Sequence, residues 1–260
     1  LFASGDQSPR QCIAYHSVNN NFIANLSNTG TSFPNFNGII VAVGNVNITN
    51  NTIGGGAIAS DTVRTNEDTY GFRNTGTGTV LIQGNVWSFV RNYLTTLHDM
   101  RPIIVSAGTA TIKNNTIGST YDVNAPSASF FMAGITLATA TSGNIVEGNT
   151  VSNLHSDGTG INVFNLGMLI GSVLSSPNPM DIRQNRIHTI TGNGTRTLIY
   201  GIYKLSGDAT YFNNMIALGS TQALNPFIVG LRDDGAAGTN NWYFNWVSSC
   251  LLLFPFNLHI

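Results

Sequence analysis

Charge is the scarcest ingredient of this chain. Asp, Glu, Lys and Arg together make up 9% of its 260 residues, against about 25% in an ordinary globular protein. The net charge is −1, and the Lys and Arg residues are scattered singly. No basic stripe exists to hold nucleic acid or an anionic membrane by electrostatics, so nucleic acid is not an expected partner. No run of 18 apolar residues occurs, which excludes a membrane-spanning helix. Only two cysteines are present, Cys12 and Cys250. There is no Gly-x-Ser-x-Gly, no Cys-x-x-Cys and no His-x-x-x-His, so the hydrolase-triad and zinc readings lack support. The triple glycine at 54–56 has no phosphate-loop Lys and reads as a turn. No cofactor and no metal is expected. Amphipathic helix periodicity, with apolar residues at i, i+3, i+4 and i+7, is missing as well.

Asn, Thr, Ser and Gly are abundant instead, and they repeat. The pattern apolar-x-x-Asn-x-apolar recurs with its Asn at Asn21, Asn51, Asn85, Asn115, Asn149, Asn185, Asn214 and Asn245, at intervals of 30, 34, 30, 34, 36, 29 and 31 residues. Three positions before the Asn, and two after it, every residue is β-branched or aromatic, from Val18 and Ile23 to Trp242 and Val247. Such residues favour strands. A second register places Gly38, Gly71, Pro102, Gly134, Gly160, Gly201 and Gly230 each before an apolar residue. Each period therefore holds at least two short strands bounded by turns. Two short strands cannot bury a face alone. Stacked windings can, by pairing each strand with its copies about 4.8 Å above and below. The predicted fold is an all-β parallel solenoid of about 7–8 coils, one domain over residues 1–260 or a segment of a longer solenoid.

The Asn then has two reasons to recur. It tolerates the left-handed backbone that a sharp bend between strands requires. It also stacks, because a neutral carboxamide donates to one neighbour and accepts from the other. Asp in the same column would repel its copies by roughly 3 kcal/mol per pair. An internal Asn ladder through all eight positions is expected, with the first Asn of each "NNTI" copy facing outward.

These features resemble the right-handed parallel β-helix repeat family over about residues 13–247. That family contains polysaccharide-cleaving enzymes, phage tailspikes and many bacterial secreted or surface proteins. The Asn- and Thr-rich form here is most similar to the last group. The leucine-rich repeat is the rival architecture. Its period is about 20–29 residues, it carries a helix or 3₁₀ segment, and it places Leu beside the Asn, where this chain has none.

Four further expectations follow. Gln83, Lys113, Glu147 and Arg183, two before their ladder Asn, face outward, the last three as a +/−/+ row with exposed-pair energies of about 0–1 kcal/mol. Cys12 and Cys250 lie about seven steps of about 4.8 Å apart and do not pair within one chain. The period holding Asn185 carries a loop insertion at 167–179, whose Met168, Leu169, Ile170, Val173 and Leu174 need cover. The apolar stretch 248–260 reads as the start of another covered unit or as an interface.

For chemistry, Arg91, Tyr121 and His155 stand six positions after their ladder Asn, Asp122 seven and Asp157 eight. Three coils would present them as one patch. Asp122 and Asp157, with His155, are the candidate catalytic groups, since two carboxylates share acid and base work on a glycosidic bond. Arg91 and Tyr121 are the candidate ligand contacts. His98 and Asp99 are read as loop residues. An acidic calcium cluster of the lyase kind is missing, since the stretch EDTYG from Glu67 and the pair Asp233–Asp234 are isolated from each other.

The leading functional expectation is a non-catalytic extracellular or cell-surface module that is structural, adhesive or assembly-forming. Its partners would be other subunits, further coils of the same protein or polysaccharide. A polysaccharide hydrolase or lyase is the alternative. A carbohydrate-binding module using outward Tyr121, Tyr211 and Trp242 is a third. No strong cap is visible at either terminus, and open solenoid ends expose strand edges, so a fragment or an assembly component is expected.

Overall fold

A computed structural model describes residues 16–27, 35–55, 62–123, 130–159, 162–171, 180–194, 196–219, 226–235 and 240–249. Every regular element among them is a strand. No helix there is long and apolar enough to cross a membrane. Cys12, Cys250, Gly160, Ile161, Gly56, Val173, Leu174 and most of the stretch 248–260 lie outside the described residues.

The strands form three parallel sheets of eight, eleven and seven strands, which matches a solenoid of seven to eight windings. Each winding contributes to the sheets in turn. In the winding holding Asn115, Thr109–Lys113 lies in the first sheet, Thr116–Ile117 and Thr120–Asp122 in the second, and Phe130–Leu137 in the third. Pairing with the next winding is in register, as in Ile112↔Val146, Ile117↔Val151 and Ile135↔Met168. Because side chains alternate along a strand, each column keeps one face throughout. The inward columns read Ile48, Ile82, Ile112, Val146, Ile182, Tyr211 on the first sheet and Ile53, Trp87, Ile117, Val151, Ile187, Ile216 on the second. All are buried in one apolar core.

The ladder is complete. Asn51, Asn85, Asn115, Asn149, Asn185 and Asn214 are buried. In each, one Nδ2 hydrogen goes to the Oδ1 of the next ladder Asn and the other to a main-chain carbonyl of the preceding winding. For Asn115 these are Asn149 Oδ1 at 2.9 Å and Ile82 O at 2.9 Å. Its Oδ1 accepts both the main-chain N–H and the Nδ2 of Asn85, at 2.9 and 3.0 Å. Two donors and two acceptor sites are all used, which Asp, with no donor, could not do.

The expected role of the ladder Asn in the bend is corrected. None of the eight has a positive φ. The residue just before each does: Asn20, Asn50, Gly84, Asn114, Gly148, Gln184, Asn213 and Phe244, at φ between 51° and 65°. The labour is divided. The preceding residue makes the left-handed turn, and the ladder Asn pairs its inward carboxamide and its own N–H with the neighbouring winding.

The glycine register is also corrected at one step. Met168 pairs with Ile135 and Ile202, so Gly167, not Gly160, occupies the column. The space these glycines leave is filled from the second sheet. A Cβ on Gly134 would meet Val151 Cγ1 at 2.5 Å, and one on Gly167 would meet Ile187 Cγ2 at 2.5 Å. Residues 167–170 accordingly belong to the strand Val163–Ile170. Met168 and Ile170 are core, and Leu169 is buried on the outer face with Ala133, Leu166 and Tyr200. The longer connection begins only after Ile170, and residues 172–179 lie outside the described residues.

Candidate functional site

The second sheet positions the patch. Arg64, Arg91, Tyr121, His155 and Thr191 are in register on successive strands. Their neighbours Val63, Val90, Thr120, Leu154 and Ile190 are buried, so alternation turns this row outward. Arg64 and Arg91 are exposed and adjacent. The Arg91 guanidinium lies 5.4 Å from the Tyr121 ring centre, and the Tyr121 and His155 rings are 6.3 Å apart. His155 Nδ1 meets Thr191 Oγ1 at 2.7 Å, and its Nε2 meets Asp157 Oδ1 at 3.0 Å. Asn193 Nδ2 donates to the same carboxylate oxygen. Arg91, Tyr121, His155 and Asp157 thus come together as one partly exposed surface.

Asp122 does not join them. It follows Tyr121 directly on the strand, so it points inward, where its side chain is wholly buried. Ser156 Oγ–H donates to it at 2.8 Å. His98 Nε2 stands 3.4 Å from its other oxygen, within ion-pair range though without hydrogen-bond geometry. His98 Nδ1 is 2.6 Å from Thr96 O, and its ring packs on Phe130 at 4.7 Å. His98 and Asp99 are strand residues of His98–Val105, not loop residues. They face opposite sides, with His98 inside. The carboxylates of Asp122 and Asp157 therefore lie on opposite sides of the wall, and the two-carboxylate apparatus is not assembled.

The proposed sugar platforms divide in the same way. Tyr121 faces out. Tyr211 is inside, fully buried, and Trp242 stacks flat on it with centroids 3.8 Å apart and planes 6° apart. Trp242 pairs in register with Tyr211 and belongs to the inward column. It is uncovered only because it lies on the last described winding.

The outer face of the third sheet carries a second group, missed when only the glycine column was followed. Arg73 sits 4.6 Å from the Tyr70 ring, Arg101 4.6 Å from Phe131, and Arg232 5.3 Å from both Tyr200 and Tyr203. Alternation about the glycine column was the available signal. Arg73 donates to Asn37 Oδ1 at 3.3 Å, and the other two arginines are paired with acids. Arg101 bonds Asp99 at 2.7 Å, and Arg232 bonds Asp234 through Nε at 2.9 Å and donates to Tyr200 OH at 2.7 Å. Tyr203 OH donates to Asp234 at 2.8 Å. Burial, and then that bond, push the Tyr203 phenol up to about 12. The hydrogen bond from Arg232 holds Asp234 below the ordinary carboxylate range. Burial raises Asp99, against the opposing pull of Arg101. On the first sheet, Glu147 and Arg183 of the outward row are bonded at 3.1 Å. Lys204, turned inward and buried, is neutralised by Asp233 at 3.2 Å.

Among the described residues no group of three or more His, Cys, Asp or Glu is placed to hold a metal ion. No protein-family model, no curated protein and no solved structure matches the chain.

Proposed function

We propose that the chain is a non-catalytic extracellular or cell-surface solenoid, an assembly or adhesive module similar to the bacterial secreted and surface members of the right-handed parallel β-helix repeat family. The observation that carries this reading is the last described winding. Side chains that are fully covered in every middle winding stand uncovered there: Trp242 is 41% exposed where Tyr211 is 0%, and Val247 is 40% exposed where Ile216 is 0%. A core column of this kind is completed by one more winding, whether of this chain or of another. The burial of Asp122 supports the non-catalytic half of the reading, and the low charge of the chain is compatible with an extracellular setting. Wild type and Asp157→Asn would be assayed on a panel of polysaccharides. Absence of turnover by both is expected, and turnover by wild type that Asp157→Asn abolishes would overturn the reading. Protease treatment of intact producing cells should remove the protein, and full protection would contradict the surface assignment.

One observation favours a second reading, carbohydrate binding. Arg64 and Arg91 stand side by side with no ion pair of their own to an acid among the described residues, beside the outward Tyr121. Binding of an acidic oligosaccharide that weakens at least tenfold in Arg91→Ala would support it, and unchanged binding would remove it.

A further inference from the structure

We infer that Lys204 and Asn240 are the two ends of a self-formed amide bond that staples one winding to the next, with Asp233 as the proton carrier. The inference goes beyond the assembly reading and does not depend on it. It starts from two inward columns that flank the corner between the third sheet and the first. One reads Val41, Asn74, Val105, Leu137, Ile170, Lys204, Asp233. The other reads Val46, Val80, Ala110, Asn144, Met180, Ala209, Asn240. Both are apolar except for two Asn and the group at their far end. Asn74 and Asn144 bond the main chain of the corner. Asn74 Nδ2 donates to Gly76 O and Ala107 O, and its Oδ1 accepts from Gly76 N–H. Asn144 Oδ1 accepts from Ala110 N–H, and its Nδ2 donates to Thr141 O.

Asn240 is held differently. Its Nδ2 donates to Asp233 Oδ2, and its Oδ1 is buried with no hydrogen-bond partner among the described residues. That oxygen is already out of solvent, so its lack of a partner is not the mark of an uncovered edge. Lys204 is fully buried, where an ammonium is costly even when paired. Its Nζ lies 3.2 and 3.3 Å from Asp233 Oδ1 and Oδ2. One carboxylate oxygen, Asp233 Oδ2, therefore holds both the amine and the carboxamide nitrogen. Gly235 N–H fixes the other, at 2.9 Å. An amine, a carboxamide and a carboxyl shared between them are the parts of an amide exchange. Asp233 takes a proton from the Lys204 ammonium, and the neutral Nζ attacks Asn240 Cγ. Asp233 returns the proton to Nδ2, the Cγ–Nδ2 bond breaks, and the departing ammonia carries off the second Nζ proton as ammonium. An ammonium and a carboxamide become a secondary amide and an ammonium ion, with nothing oxidised or reduced. Asp233 is 28% exposed and gives the ammonium a way out. The event happens once per chain, so it leaves the protein without an enzymatic activity. It ties together two windings that otherwise hold only by their interface.

Intact mass spectrometry of the folded wild type tests this. The chain should be lighter than its sequence by one ammonia. Proteolysis should release a branched peptide joining Lys204 to Asn240. Lys204→Arg, which keeps the charge beside Asp233 but has no amine nucleophile, should keep the full mass, as should Asn240→Ala and Asp233→Ala. Circular dichroism checks that Lys204→Arg retains the solenoid. The branched peptide is read on the wild type, so no variant's folding affects it. A wild type of full sequence mass overturns the inference. So does an ammonia deficit that persists in Lys204→Arg, which means cyclisation of an asparagine elsewhere, or one that persists in Asp233→Ala. A deficit of one water, with the branch at Asp233, also overturns it, because the ion pair itself has then condensed. The polysaccharide and cell-surface assays are independent of these outcomes, so failure of the staple and failure of the broader reading are told apart.

Discussion

The middle of the solenoid and its last described winding carry the same repeat in different surroundings. Ile182, Asn185 and Ile187 in the middle are buried, while Trp242, Asn245 and Val247 occupy the same columns and are not. Backbone pairing, ladder position and residue class are alike. What differs, among the described residues, is the presence of a winding below. The comparison teaches that a repeat of this kind owns little of its stability. Most belongs to the interface between windings, as in other one-dimensional arrays.

Substitutions made in both regions sharpen the contrast. The largest effect is expected from Asn115→Asp. It places an unpaired charge in the wall and turns two donors into acceptors facing Asn149 Oδ1 and Ile82 O. Urea denaturation should show a loss of about 3–5 kcal/mol, while Asn245→Asp, open on one side, should lose no more than about 1 kcal/mol. Equal losses would mean that the ladder is not held by its buried rungs.

Next is Trp87→Ala, which empties a fully buried site and removes the Nε1 bond to Thr120 Oγ1 at 2.9 Å. A loss of about 3–5 kcal/mol is expected. Trp242→Ala should cost less than half of that, since Trp242 is covered only on its Tyr211 side. The order of the two losses is the test.

Smaller again is the glycine column. Gly134→Ala forces a methyl against Val151 and the Gly167 carbonyl, at a cost of about 1–3 kcal/mol. Gly230→Ala meets Val247 at 2.2 Å, yet Val247 is free to move outward, so thermal unfolding should show a smaller change. A larger change at Gly230 would deny that the last winding is open.

The smallest effect concerns pH. Burial, and then Arg186, lower the His188 pKa below its ordinary 6.5. The unfolded chain thus binds the proton more readily, and stability rises with pH across that range. His188 contributes fully above pH 6.5, and its contribution falls as pH drops from 6.5 through the lowered folded value. The difference in melting temperature between wild type and His188→Gln should change sign or shrink over that window. A pH-independent difference would refute the shift.

The fold was legible because stacking imposes identity at fixed positions. A column of carboxamides admits nothing else, so eight Asn at similar intervals revealed the windings. The outward row of Arg91, Tyr121 and His155 was legible from its constant offset. Asp122 was misplaced because an offset of seven was grouped with offsets of six and eight, although adjacent residues on a strand face opposite sides. Gly160 was chosen over Gly167 because both precede an apolar residue, and only strand register separates them. In "NNTI" the two Asn look equivalent, and which one turns the chain depends on φ. The arginine–tyrosine rows on the third sheet lie off the ladder and have no invariant residue to mark them.

Hydrogen exchange of the ladder side-chain amides, measured by NMR on the wild-type chain, tests the stacked column most directly. The Nδ2 hydrogens of Asn51, Asn85, Asn115, Asn149, Asn185 and Asn214 should exchange at least about a hundredfold more slowly than the Nδ2 hydrogen of Asn245 that is not bonded to Tyr211 O. Exchange at solvent rates along the whole series would show that the carboxamides do not share one buried column.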